Sequence, residues 1–244
     1  MGIDDPAVVE AALDVGYRHL DTAQIYENEA VVGDGLAESS LDREDVVLAT
    51  KLWIDNLAPN NVEAGTRESL DRLGVDSVDL LYVHRPRGGY DPEGTMRALD
   101  AVHEQGLTQH VAVSNFTPEQ FETAQKHCES PIVANQVEFH PLFQQQELLD
   151  HARGHDYTIV AYSPLAGGEV FEIPEVQSVA EKHDTSEAAV AIAWALSYDN
   201  VVTIPRASSR EHLAANLAAA ELSLDSEDIE RIESIDREVE LFPE

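Results

Sequence analysis

The chain is short of lysine, cysteine and positive charge. Its 244 residues contain only three lysines (Lys51, Lys126 and Lys182), a single cysteine (Cys128), and 15 basic against 47 acidic side chains, for a formal net charge of −32. One cysteine excludes an internal disulfide and fits a reducing compartment. The negative excess repels nucleic acid and anionic membranes and removes both as partners. No apolar stretch approaches the roughly 20 residues needed to span a bilayer, and the N-terminus has no basic, apolar signal segment. A cytoplasmic protein is therefore expected. Low-complexity linkers and charge breaks are missing as well, so a single domain over residues 1–244 is expected, with no metal at its site.

Hydrophobic residues make up 43% of the chain, which argues against disorder. The acidic residues are spread along the whole sequence, and no block of them forms a tail. The simplest physical reading is adaptation to a high-salt cytosol, where screening over a few ångströms cancels self-repulsion; a salt-loving archaeal source is the expectation.

Short apolar runs occur at residues 17–21, 46–51, 78–83, 110–114, 132–137, 158–162 and 201–204, with segments of helical length between them. Pro6 and Pro118 suit the first turns of helices, and Thr117-x-x-Gln120 and Ser208-x-x-Glu211 read as capping boxes. Alternating strands and helices imply parallel strands joined by right-handed crossovers. The expected fold is an α/β (βα)8 TIM barrel. Seven strands are visible where eight are needed, and the first recognisable element is a helix over roughly residues 6–15, so the first strand is expected to precede Met1. A doubly wound sheet would also hold seven strands, but its glycine-rich strand-to-helix turn is absent. Gly33-Asp34-Gly35 lies in a helix-like segment instead.

Asp21, Tyr26, Lys51 and His84 each stand at, or just beyond, the end of an apolar run. An α/β barrel keeps its chemistry at the C-terminal ends of its strands. A tyrosine is normally too weak an acid to act near neutral pH, but an ammonium beside it stabilises phenolate and lowers its pKa. Lys51 is the candidate ammonium, Asp21 the carboxylate that holds it, and His84 the group that orients a carbonyl oxygen. Each has a plainer role when taken alone: turn former, packing ring, solvated tip, structural imidazole. Placement of all four at strand ends favours the set as a proton donor to a carbonyl.

The stretch Gly16-Tyr17-Arg18-His19-Leu20-Asp21-Thr22-Ala23, followed by Tyr26-Glu27-Asn28-Glu29, resembles the signature of the aldo-keto reductases. Thr50-Lys51-Leu52-Trp53 and Val83-His84-Arg85-Pro86 resemble the segments holding that family's catalytic lysine and histidine. The match runs in unbroken order from about residue 6 to 235. It implies NAD(P)H-dependent reduction of aldehydes or ketones, with Tyr26 as proton donor and a small-molecule carbonyl as substrate, by a monomer. The resemblance extends to Val113-Ser114-Asn115-Phe116 and Asn135-Gln136-Val137-Glu138, whose family counterparts hydrogen-bond the nicotinamide carboxamide. It includes Ala161-Tyr162-Ser163-Pro164-Leu165, where a family tyrosine stacks on the nicotinamide. The implied cofactor residues are Ser114, Asn115, Gln136, Tyr162, Ser163, Leu165, Arg206, His212 and Asn216. Arg206 stands before a helix N-terminus, a pairing that suits a phosphate, and His212 and Asn216 share a helix face.

Several positions depart from the family pattern. Arg206 replaces the usual lysine, Ala207 serine, His212 arginine and Ala215 glutamate; Arg85 stands where tryptophan is frequent. Loss of a hydroxyl and a permanent charge weakens the expected 2′-phosphate pocket, so NADPH is expected with NADH as a second usable cofactor. The chain ends soon after its last helix, where family substrate selectivity is often set, and names no substrate. Two other readings stand beside the reductase: an aldolase-like barrel with Lys51 as Schiff-base nucleophile, and a cofactor-binding sensor or regulatory protein on the same fold.

Overall fold

A computed structural model describes residues 2–243 and resolves two compact units, Met1–Asn135 and Gln136–Glu244. The first unit contains α1 (Pro6–Val15), β1 (His19–Asp21), α2 (Glu29–Glu38), β2 (Val47–Leu52), α3 (Val62–Leu73), β3 (Val78–Val83), α4 (Pro92–Glu104), β4 (Thr108–Ser114) and α5 (Pro118–His127). The division falls within β5 (Ile132–Glu138). The second unit continues with α6 (Gln146–His155), β6 (Thr158–Tyr162), α7 (Pro174–Lys182), α8 (Glu187–Leu196), β7 (Val201–Thr203), α9 (Arg210–Ala218) and α10 (Ser226–Glu233). Seven strands are thus present among the described residues, each within two residues of its expected position. An α/β fold of parallel strands is observed; β1 to β4 pair in chain order in the first unit, and β6 pairs β7 in the second.

Local chemistry explains where the helices begin. Asp5 caps α1 by accepting the Ala7 N–H at 3.0 Å, Pro6 occupies the first turn, and Gly16, at φ 128°, ends the helix. The Thr117–Gln120 capping box forms at the start of α5, with bonds of 3.3 and 2.9 Å. The Ser208–Glu211 box does not form. Ser209 is the cap of α9, extended at φ −107°, and its Oγ accepts the His212 N–H at 3.2 Å, which puts His212 where a box needs Glu or Gln. Gly33 sits inside α2, where a Cβ would fall 2.2 Å from the Leu73 carbonyl oxygen, so this glycine serves close packing against the end of α3.

Residues 48–52 of β2 are all buried, with no alternation, as expected of a parallel strand covered on both faces. Leu48, Leu52, Leu81 and Val83 are fully buried, each contributing about 1.5–3 kcal/mol of transfer free energy. In the second unit, Phe139 stacks on Trp194 with ring centroids 5.0 Å apart, and Trp194 meets Tyr198 edge-on at 5.6 Å.

At the start of α10, Asp228 accepts Lys182 Nζ at 2.7 Å and lies 2.7 Å from His183 Nε2, clamping α10 to the end of α7. Burial raises the Asp228 pKa, but the bonds from Lys182, His183 and the Asp225 N–H outweigh it and hold the carboxyl at about 2. A lowered folded pKa stabilises the protein fully above the ordinary value near 3.8, and the contribution is lost as pH falls through about 2. Lys182 is 42% exposed, so solvent screens part of the effect. We expect Asp228→Asn to lose about 1–2 kcal/mol at pH 7. Urea melts of parent and variant should converge as the pH is taken from 4 towards 2; a gap that persists unchanged at pH 2 would rule out the charge as its source.

Candidate active site

The C-terminal ends of β1 and β2 create the first part of the site. Asp21 is paired with Ala49 across the two strands, and side chains alternate along a strand, so Ala49 and Lys51 face one side of β2 while Thr50 faces the other. Lys51 is 0% exposed. A buried ammonium is tolerable only when its donors are used, and here Nζ reaches Asp21 Oδ1 at 2.5 Å and the Thr22 carbonyl at 2.8 Å. Nζ also lies 5.0 Å from the Tyr26 ring centroid and 5.9 Å from that of Tyr82, its register partner on β3. His84 follows β3 and stands edge-on to Tyr26 at 5.7 Å and to Trp53 at 5.0 Å. All four expected catalytic side chains meet in one cluster.

The electrostatics differ from expectation at Tyr26. Burial pushes the phenol above its usual value of 10, and although the Lys51 and Arg85 charges pull it down, Asp21 opposes them and the net direction is upward. Tyr26 therefore keeps its proton near neutral pH, and Lys51 limits the cost of giving it up without producing a resting phenolate. His84 is moved the other way. Burial first, then the Lys51 and Arg85 charges, lower it to about 3, so the imidazole is neutral in any ordinary buffer. A neutral imidazole has one donor and one acceptor nitrogen. Nδ1 of His84 is buried without a hydrogen-bond partner among the described residues.

Several supporting residues had no local signal of their own. Glu29, 2% exposed on α2, accepts the Thr50 hydroxyl at 2.5 Å and Arg72 Nε at 2.7 Å, bracing β2 from the face opposite Lys51. Asn28 accepts the Thr22 hydroxyl at 2.7 Å, which steadies the residue whose carbonyl receives Lys51. Gln24 accepts the Trp53 N–H at 2.8 Å and donates to the Gly65 carbonyl at 3.0 Å. Asn28 and Glu29 belong to the signature stretch, but what they do shows only in the folded chain, for Asn28 across 6 residues and for Glu29 across 21 and 43.

Ser114 and Asn115 stand where β4 ends. Asn115, at φ 61°, donates from Nδ2 to the His84 carbonyl and to Ser114 Oγ, each at 3.0 Å, so it ties the His84 turn to β4. Asn135 brackets the next residue, donating to the Phe116 carbonyl at 2.8 Å and accepting the Phe116 N–H at 3.4 Å.

In the second unit, Gln136 lies on β5 and is 2% exposed. Tyr162 ends β6 and leads into a turn with Ser163 at φ 52° and Ala166 at φ 49°, in which Leu165 is half-buried and its carbonyl accepts the Gly168 N–H at 2.8 Å. The Ile204 N–H bonds the Ala161 carbonyl at 3.1 Å, which holds the segment before Arg206 beside the strand that carries Tyr162. Arg206 is exposed and precedes α9; His212 and Asn216, four residues apart on that helix, share its face.

The family model of the Aldo/keto reductase family matches residues 4–237. Methylglyoxal reductase DkgB of Salmonella typhi is 39% identical over 233 residues, covering 94% of this chain and 87% of the relative. Glyoxal reductase of Bacillus subtilis is 35% identical over 235 residues, covering 96% and 84%. The crystal structure of an aldo-keto reductase enzyme from a Medee basin deep-sea metagenome library superposes with a TM-score of 0.93 at 31% identity, covering 98% of this chain and 88% of that one. A matched family model across nearly the whole chain, over a buried Asp–Lys pair set against a tyrosine and a neutral histidine, leads to one conclusion: this protein belongs to the aldo/keto reductase family of oxidoreductases.

Proposed function

We propose that this enzyme reduces small aldehydes and ketones, α-dicarbonyls such as methylglyoxal and glyoxal among them, with Tyr26 as the proton donor. The observation that carries the reading is the Lys51–Asp21 pair, fully buried at the lysine and held 5.0 Å from the Tyr26 ring centre. Bound NAD(P)H supplies the hydride. Tyr26 gives its proton to the carbonyl oxygen, Lys51 stabilises the phenolate left behind, and Asp21 and the Thr22 carbonyl keep the ammonium in place. His84, neutral and so with one ring N–H to give, donates a hydrogen bond that orients the oxygen.

The donor set suits a nicotinamide cofactor. Within the first unit Ser114 and Asn115 offer a hydroxyl and an amide of the kind a carboxamide takes; within the second, Gln136 offers an amide and Tyr162 a flat ring at a strand end, and the family match is what assigns them to the cofactor. Arg206 would meet phosphate near the N-terminus of α9, with His212 and Asn216 towards the adenosine and Ser163 and Leu165 in the turn between. NADPH with NADH as a usable alternative, a single (βα)8 barrel domain, a monomer, and a high-salt cytoplasmic setting form part of the same reading, supported by the family match and the acidic composition. Lys51 is a poor Schiff-base nucleophile, being 0% exposed and committed to two acceptors, so the aldolase alternative loses its support. The sensor alternative leaves a complete proton-donor cluster without a use.

A panel of methylglyoxal, glyoxal and simple aldehydes, assayed at molar salt with NADPH and NADH in parallel, tests the proposal. Turnover of none of them while cofactor still binds would favour the sensor. His212→Arg should strengthen NADPH binding about 5-fold or more by restoring a permanent charge, with NADH unchanged. Equal NADPH affinity in parent and variant would remove His212 from the 2′-phosphate pocket.

A further inference from the structure

Glu138 ends β5 with only 3% of its surface exposed. A carboxylate so placed needs hydrogen-bond donors to offset the loss of water. Two of its donors come from about a hundred residues further on. Oε1 accepts the Leu241 N–H at 2.7 Å, Oε2 accepts the Phe242 N–H at 3.0 Å, and His140 Nε2 lies 2.8 Å from Oε1. Successive backbone N–H groups on one carboxylate fix the orientation of the segment as well as its position. Two further ties precede them: Val239 N–H to the Leu142 carbonyl at 2.9 Å, and Arg237 to Glu169 at 2.7 Å.

The fork delivers the Phe242 ring, which meets Tyr162 edge-on with centroids 5.8 Å apart and planes at 70°. Phe242 is itself 38% exposed. Water could satisfy the N–H groups of so exposed a segment, so folding alone does not require a buried charge to be spent on them. The Tyr162 contact gives that charge a use.

We propose that Glu138 is a positioning residue, which seats Phe242 against Tyr162 through the backbone of residues 241–242 and so sets the ring that receives the nicotinamide. The inference rests on the reading of Tyr162 as the stacking ring. Glutamine at 138 would keep the shape but cannot accept both N–H groups, since one of its side-chain atoms becomes a donor.

The test uses the full chain and the variants Glu138→Gln, Phe242→Ala, their double mutant, and Tyr162→Ala. Hydrogen exchange at Leu241 and Phe242 should rise at least about 10-fold in Glu138→Gln. Each single change should weaken NADPH binding about 5-fold, and the double mutant should be no weaker than either, because both changes remove one coupled contact. Additive losses would overturn the proposal, as would unchanged exchange at 241–242. Should Glu138→Gln fail to fold, Phe242→Ala decides alone, since its partly exposed ring can be removed without loss of the fold; parent values of both NADPH affinity and carbonyl KM in that variant would sink the idea. Tyr162→Ala with undiminished NADPH affinity would instead remove the stacking assignment. The exchange data and the same cycle read in carbonyl KM would then still decide whether Glu138 seats the segment.

Discussion

Tyr26→Phe is expected to cut carbonyl turnover about 100-fold or more, the scale of a lost general acid, with cofactor binding nearly unchanged. The ring stays, so the edge contact with His84 at 5.7 Å survives and only the proton is gone. Lys51→Met should damage turnover as much for a different reason: the phenol, already raised by burial, loses the charge that opposes the rise. The lysine variant should also lose about 3 kcal/mol or more of stability, because Asp21 is left as a nearly buried charge without its partner. Unfolding measurements will therefore separate the two variants even if their turnover is alike. Because His84 remains neutral down to about pH 3 and Tyr26 titrates above its usual value, the pH profile of kcat/KM should be flat from about pH 5 to 8 as far as these groups are concerned. A phenylalanine variant with near-parental turnover would end the proton-donor assignment.

Stability should climb steeply with salt at the low end of the range. A formal charge of −32 on 244 residues is self-repelling while the Debye length is long, about 30 Å at 0.01 M, and is screened when it shrinks to about 3 Å at 1 M. Ion pairs of exposed side chains, such as Arg67–Glu63 at 3.0 Å, weaken over the same range, but each is worth about 0–1 kcal/mol and few basic residues exist to form them. Repulsion should win. Thermal melts in potassium chloride from 0.01 to 1 M should differ by many degrees, and a Tm indifferent to salt would overturn the reading of the composition as an adaptation to salt.

Local chemistry alone determined much of this protein. Apolar runs separated by capped helical stretches placed the strands of an α/β fold, and Pro6, Pro118 and the Thr117–Gln120 box act where their own backbone needs them. The positions of Asp21, Tyr26, Lys51 and His84, at or just beyond strand ends, were legible because order along the chain defines where a strand stops. Where two adjacent serines competed for one cap, local pattern failed: Ser209, rather than Ser208, has the extended backbone and reaches His212.

Only the tertiary structure decided the rest. The direction of the Tyr26 pKa depends on whether burial outweighs a nearby ammonium, and burial is a property of everything packed around a side chain. Glu29 looks like one more acid among 47 until Thr50 and Arg72 are seen to bind it, 21 and 43 residues away. Glu138 is similar, with its N–H donors 103 and 104 residues distant. Spacing along a chain reports neighbours on one helix or strand, whereas a buried charge finds its partners wherever the fold brings a donor within about 3 Å.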